Sequence, residues 1–303
     1  MVTASTDGRV NFWSIGNLRD PAESLQVGES AACITVAPES ESLIVGDGNG
    51  GLYAIQSSAS TQGQRSARRT VRKLDVSSGG TSGKDGAEEE KSAVPHHFGM
   101  ITSVNAKTIP VGASSRAAGL SKGFLRGAGG LVLTSGVDWS TKLWAPAYND
   151  QPLISWVSHS YDYMSDVHWY VIANLCYCVF VCYLVQCLMF DPIVLMIRNR
   201  SPTHPSLFAT ASSTGSVGIW NLASSLDEPI TGVDGIVVEP EAATTGQRGL
   251  NKLKWSADGR RMMVAAGDRV HVLSLSEDIV RQKGDEDHRV MSHLVSRGLL
   301  ERE

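Results

Sequence analysis

The sequence predicts an all-β chain: an incomplete β-propeller of about five blades, followed by a C-terminal helix. Three observations predict it. One hairpin design recurs four times, with ends at Trp13, Ile55, Trp144 and Trp220. A shorter fifth hairpin, MMVAAGDRVHVLSL, turns at Gly267 and Asp268. Trp13 to Ile55 is 42 residues, which matches the roughly 40–45 residues of a four-stranded blade.

The copy at Ser201–Leu222 shows the design. Leu207 to Ala211 is a short apolar run, and Ser212 to Gly215 is a cluster of small turn residues. Val217 and Ile219 then alternate with Ser216 and Gly218 up to Trp220. Two such runs about a tight polar turn make a β-hairpin. Six places before each end stands a polar turn residue: Asp7, Asn49, Asp138 and Thr214. One and three places before it stand Phe12 and Val10, Ala54 and Leu52, Leu143 and Thr141, Ile219 and Val217. A common register therefore turns one face of each second strand inward.

Composition narrows the function. The chain has 303 residues, of which 42% are hydrophobic, enough for a sizeable core. Its 30 glycines suit a turn-rich β protein, and a net charge of −4 argues against bulk affinity for nucleic acid. Residues 1–30 hold no continuous apolar run of the signal-peptide kind. No glycine-rich loop joins a strand to a helix in the manner of a phosphate cradle, and no paired carboxylates or Cys/His set stands out. No catalytic, cofactor-binding or metal-binding residue is expected, and the chain is read as a non-enzyme.

Residues 1–56 are read as propeller blades. Met1 already lies within a strand, so the first blade lacks its first strand and the chain reads as an N-terminally truncated piece. Ala31 to Pro38 supplies the first strand of the second blade. Residues 57–95 are polar, with a basic cluster (Arg65, Arg68, Arg69, Arg72, Lys73) and then Glu88, Glu89 and Glu90. Such a stretch buries too little apolar surface to offset its ordering entropy, so a disordered loop is expected. A docking or phosphorylation tail is the alternative.

Residues 96–169 return to blades. His97 opens the third blade, with Ile101 and Val104 four and seven residues on. Asn105 to Gly130 is read as a long Gly/Ala/Ser-rich loop. His97, Asp138 and Trp144 resemble the buried relay of WD-repeat blades, with Thr134 or Ser135 supplying the hydroxyl. The propeller is therefore read as WD40-type, with Trp13 and Trp220 as blade-end framework. A buried polar chain of this kind stabilises only when every member has a partner. The Ser-His-Asp content does not make a hydrolase, because nothing provides a nucleophile elbow or oxyanion hole. His96 is expected to be an exposed loop residue rather than a metal ligand.

Residues 170–200 interrupt the pattern. Tyr170 to Phe190 carries no charge and holds Cys176, Cys178, Cys182 and Cys187. Its length would span a bilayer, with Arg198 and Arg200 at one end. The cysteine spacing is not that of a zinc site. Trp144 to Trp220 is 76 residues, and removing 170–200 leaves 45, the blade period. The segment is therefore read as an insert foreign to the propeller, of non-coding or aberrantly spliced origin. Blades resume over 201–275, and 276–303 is a helical tail in which Val290, Met291, Leu294 and Val295 share a face. That stripe identifies a buried face without naming its cover, either the propeller itself or a partner.

VDWSTKLW, the join of SYDYMSDVHW to SPTHPSLFATASSTGSVGIWNL, and LNKLKWSADGRR resemble the C-terminal WD-repeat domain of dynein intermediate chains, the cytoplasmic type more than the axonemal. STDGRVNFWSI resembles an earlier blade of that family. A generic WD repeat would have glycine after the turn aspartate, where this chain has Trp139. The resemblance implies a non-catalytic subunit of a cytoplasmic microtubule motor whose propeller docks on the dynein heavy chain. The family's N-terminal region, which binds dynein light chains and dynactin, has no counterpart here, and no binding residue carries over. The other readings are a membrane-anchored WD protein using residues 170–190, and a WD adaptor unrelated to motors. No nucleic acid and no membrane is expected as a partner.

Overall fold

Adjacent residues on the middle strands of this chain point to two different hydrophobic cores, and that fact dictates the architecture. The computed structural model describes residues 1–37, 42–57, 69–74, 96–107, 130–146, 150–158, 162–170, 206–238, 249–256, 258–281 and 286–299. They form five small antiparallel sheets that follow one another in chain order. The first sheet holds β1 (Val2–Ala4), β2 (Arg9–Phe12) and β3 (Glu23–Gln26). The second holds β4 (Ala31–Ala37), β5 (Ser42–Asp47), β6 (Leu52–Ser57) and β7 (Arg69–Lys73). The third holds β8 (Ile101–Ala106), β9 (Val132–Gly136), β10 (Ser140–Trp144) and β11 (Pro152–Val157).

The fourth sheet holds β12 (Met164–Trp169), β13 (Leu207–Ser212), β14 (Ser216–Asn221) and β15 (Ile236–Val237). The fifth holds β16 (Leu250–Trp255), β17 (Arg261–Ala266) and β18 (Arg269–Ser274). Two helices follow, α1 (Glu277–Val280) and α2 (Glu286–Ser296). Every sheet runs as a simple meander, the pairing of propeller blades.

The blades stack through alternating side chains. On β5, Val45 enters the core shared with the first sheet, while Ile44 enters the core shared with the third. On β9, Val132 faces the second sheet and Leu133 the fourth. On β13, Phe208 faces the third sheet and Leu207 the fifth. A strand buried on both faces reads as a continuous apolar run, which is why these middle strands lack strict alternation. Four inter-blade cores result, and the fifth sheet leaves Met263, Val270 and Val272 of its far side exposed.

Neighbouring sheets do not share a hydrogen-bonded ladder, so side-chain oxygens link their first strands. Thr35 on β4 accepts the Ala106 N–H at 3.3 Å, and Asn105 on β8 accepts the Trp169 N–H at 3.0 Å. Asp166 on β12 accepts the Leu253 N–H at 3.0 Å. Each bond satisfies a backbone donor that the meander leaves unpaired.

Two features differ from the sequence expectation, and a third settles an alternative that it left open. Arg69–Lys73 is not loop but the fourth strand of the second sheet, paired with β6 from Tyr53–Lys73 to Ser57–Arg69. It is held from outside: Arg69 pairs with Glu23 and lies 3.9 Å over the Phe12 ring. Arg72 donates twice to Asp150 at 2.8 Å. The first sheet has the expected second and third strands and gains β3 at its outer edge.

Thirdly, the apolar stripe of α2 is covered by the blades themselves. Val290 and Leu294 are buried with Leu133, Trp156, Phe208 and Leu222, and His293 Nδ1 lies 3.1 Å from the Leu222 carbonyl.

The bulk of the apolar insert, residues 171–200, lies outside the described residues. Its borders are described: β12 and β13 pair directly, from Met164–Ser212 to Trp169–Phe208. The Tyr170 N–H donates to the Leu207 carbonyl at 2.9 Å and continues that ladder. Among the described residues, no helix is long and apolar enough to cross a membrane.

Candidate functional site

A buried side-chain chain lies beneath the β9–β10 turn. His97 Nδ1 is 2.9 and 3.0 Å from the two Asp138 oxygens, and His97 Nε2 is 2.7 Å from Thr134 Oγ1. The Trp144 indole N–H donates to the same Thr134 oxygen at 2.8 Å. Thr134, rather than Ser135, supplies the hydroxyl; Ser135 Oγ pairs instead with Thr102 at 2.8 Å. His97, Thr134 and Trp144 are all fully buried.

Chemistry fixes the direction of the chain. An indole N–H only donates, so the Thr134 oxygen accepts it and its hydroxyl proton points to His97 Nε2. His97 then carries its proton on Nδ1 and donates it to Asp138. Burial pushes the His97 pKa down, further than Asp138 raises it, which keeps the ring neutral. Burial works to raise the Asp138 carboxyl, but His97, the Ser140 hydroxyl and the Phe98 N–H outweigh it and hold that carboxyl well below the usual range. The arrangement is saturated: Asp138 also accepts the Ser140 hydroxyl at 2.8 Å and the Phe98 N–H at 3.1 Å. It leaves no free base or nucleophile, so its chemistry is that of a fastening rather than a catalyst.

Why the histidine enters this blade is visible at Gly136, eight residues before the blade end. A Cβ there would lie 2.6 Å from His97 Nδ1 and 2.7 Å from Asp138. The same position is Asp47 in the second blade and Ser212 in the fourth, and each bonds its own turn. Asp47 accepts the Gly51 N–H at 2.6 Å, and Ser212 accepts the Ser216 N–H at 3.3 Å. In the second blade the turn carboxylate is thus Asp47, while Asn49 reaches out to Glu29 at 3.0 Å.

The blade-end tryptophans share a tie that the sequence reading missed. Trp13 donates to Thr3 at 2.8 Å, and Trp220 donates to Thr210 at 3.2 Å. With Thr134 and Trp144, the donor follows its acceptor by ten residues in all three. In the second blade both members are replaced together, by Val45 and Ile55, and both are buried. That ten-residue Thr–Trp spacing is a legible sequence signal.

His96 corrects another expectation. It is buried, not exposed: its Nδ1 accepts the Leu52 N–H at 3.1 Å and its ring meets Trp144 edge-on at 5.5 Å. That bond ties the ring to β6 of the second sheet, while the indole belongs to the third.

Above the relay, the turn itself is strained. In three blades the residue five places before the end is Gly8, Gly50 or Gly215, with φ of 79°, 86° and 88°. In the third blade it is Trp139, with φ of 66°. The left-handed region costs a side-chain-bearing residue about 1 kcal/mol or more.

A cleft of about 390 Å³ opens near the first strands, with Asn105, Asp166, His168, Lys252 and Lys254 in its lining. Its carboxylate, Asp166, is already engaged by Leu253 and by Lys252 at 3.3 Å. Among the described residues no group of three or more His, Cys, Asp or Glu is placed to hold a metal ion.

No protein-family model matches the chain. It is similar to the cytoplasmic dynein 1 intermediate chain of Drosophila melanogaster, with 26% identity over 97% of its own length. It spans about a third of that protein, 33% of its length. Similarity over nearly the whole chain marks a distant homologue of a cytoplasmic dynein intermediate chain.

Proposed function

We propose that this chain is a non-catalytic scaffold subunit of cytoplasmic dynein, whose blades dock on the dynein heavy chain during transport along microtubules in the cytoplasm. One observation carries the reading: the similarity to a dynein intermediate chain runs along 97% of the chain and so through every blade. The physical form agrees with it. Stacked sheets give a rigid frame that presents loops at both ends, the format in which proteins display contact residues. The relay beneath the β9–β10 turn is spent on internal bonds, which suits a scaffold.

The test is reconstitution. The purified 303-residue chain and a recombinant tail of the Drosophila cytoplasmic dynein heavy chain are mixed and run on a sizing column. Co-elution is expected, and separate elution of two folded proteins refutes the motor-subunit reading. Alkaline carbonate extraction from cells addresses the membrane-anchored alternative. Release into the supernatant is expected, whereas retention in the membrane pellet favours an anchored protein.

A further inference from the structure

The cleft of about 390 Å³ is bounded by the first strands of the last three sheets and by the far side of the fifth. That volume lies in the range of small-molecule sites. Met263, Ala265 and Val270, on one face of the fifth sheet, give it an apolar wall. Polar side chains come from all three first strands: Asn105 on β8, Asp166 and His168 on β12, Lys252 and Lys254 on β16. Hydrogen bonds between the strands place them at two levels. At one level Asp166 is spent, because it accepts the Leu253 N–H at 3.0 Å and lies 3.3 Å from the Lys252 ammonium. At the other level the Asn105 side-chain oxygen accepts the N–H of Trp169, the residue after His168, at 3.0 Å. The indole N–H of Trp255, the residue after Lys254, donates to the His168 carbonyl at 3.2 Å. Those two bonds bring Asn105, His168 and Lys254 alongside one another.

Each of these three side chains keeps an open polar group. Asn105 is bonded through its oxygen, so its NH2 retains donors. His168 Nδ1 donates to the Trp169 carbonyl at 3.0 Å, which leaves Nε2 as its open nitrogen. The Lys254 ammonium makes no ion pair among the described residues. The lining carries two lysines against one carboxylate, in a chain whose net charge is −4, so positive charge is concentrated here. An ammonium, an amide NH2 and an imidazole nitrogen, contributed by three strands, match a phosphate better than a carboxylate. A phosphate offers three terminal oxygens to such donors. It also exchanges a proton near neutral pH, so it bonds Nε2 whichever of the two groups holds that proton. A carboxylate has two oxygens in one plane and no proton to give at that pH. We propose that this cleft binds a small phosphate monoester with an apolar body. Lys254, Asn105 and His168 take the phosphate, and Met263, Ala265 and Val270 lie against the apolar group. Such a site does not depend on the motor-subunit reading above.

The test is calorimetric titration of the full 303-residue chain with phenyl phosphate, beside inorganic phosphate and benzoate. Phenyl phosphate is expected to bind at least about tenfold tighter than either, since only it uses both the donors and the apolar wall. Lys254→Met removes the ammonium and keeps its stem. Asn105→Asp keeps an oxygen for the Trp169 N–H and replaces the NH2 donor by a negative charge. Each is expected to weaken phenyl phosphate at least about tenfold. Arg19→Met, at an exposed arginine between β2 and β3, binds as wild type does. Lys254 is exposed, so Lys254→Met is expected to melt as wild type does, which separates a lost site from a lost fold. A wild-type chain that binds no phenyl phosphate overturns the site. Binding that both variants leave unchanged puts the anion elsewhere and overturns it as well. Inorganic phosphate held as tightly as phenyl phosphate overturns the role of the apolar wall, and benzoate held as tightly overturns the preference for phosphate.

Discussion

Replacing Thr134 by valine removes one buried hydroxyl and keeps the side chain's shape. In the native blade that oxygen accepts the Trp144 indole at 2.8 Å and its proton goes to His97 Nε2 at 2.7 Å. Valine strands both groups in a fully buried site. Each orphaned buried polar group costs ~1–3 kcal/mol, so the pair predicts a loss of ~2–6 kcal/mol. Thr210→Val is the internal comparison. Thr210 accepts the partly buried Trp220 indole at 3.2 Å and has no histidine branch, so only one group is orphaned and ~1 kcal/mol is expected. Urea unfolding followed by tryptophan fluorescence reads both variants on one scale. For a protein of this size each kcal/mol moves the melting temperature by roughly 2–4 °C, so Thr134→Val is expected to melt about 4–24 °C lower. The reasoning is refuted if Thr134→Val costs no more than Thr210→Val, because the His97 branch would then contribute nothing.

Acid should weaken the same blade. The His97 pKa is depressed, so between its folded value and about 6.5 the unfolded chain binds the additional proton, and stability falls as pH drops through that window. The Asp138 pKa is also depressed, so a second loss begins below about pH 4, where the unfolded carboxyl takes up a proton first. His97→Asn should flatten the melting-temperature profile between pH 7 and 5, and parallel profiles for variant and wild type contradict the assignment. Gly50→Ala should be among the most damaging single-methyl changes: its φ is 86° and the new Cβ would sit 1.9 Å from the His97 carbonyl. A loss above about 3 kcal/mol is expected in thermal melts, and a near-neutral result contradicts the geometry of that turn. Leu294→Ala empties a fully buried site between α2 and the blades and should cost about 3 kcal/mol. A melt unchanged from wild type would show that the helix is not part of the cooperative unit.

The paired second and third strands were legible because apolar side chains at Val10, Leu52, Leu143 and Ile219 sit in one register around a polar turn. The helical tail was legible from Val290 and Leu294, four residues apart. The outer strands were not. Arg69–Lys73 has one β-branched apolar residue, Val71, and that is exposed. What makes it a strand is pairing with β6 and the ion pairs of its arginines, contacts with residues far away in sequence. The relay's members could be nominated from residue type, but choosing Thr134 over Ser135 needed the strand register, since neighbours on β9 face opposite cores. His96 was misjudged because one position separates it from His97 and sequence does not say which faces inward. The meaning of Trp139 also needed φ; the sequence showed only that a glycine was missing.

The direct pairing of β12 with β13 has a practical consequence. The Tyr170 N–H on the Leu207 carbonyl and the Leu222 N–H on the Ser206 carbonyl hold Tyr170 and Ser206 beside each other, whatever joins them. The cost of closing a connection grows only with the logarithm of its length, so bridging with residues 171–205 instead of 201–205 alone changes stability by only about 2 kcal/mol. This is therefore a permissive site in the blade. A fluorescent protein or affinity handle spliced in there would leave every strand pair in place, and the join offers a point for labelling the protein without disturbing its blades.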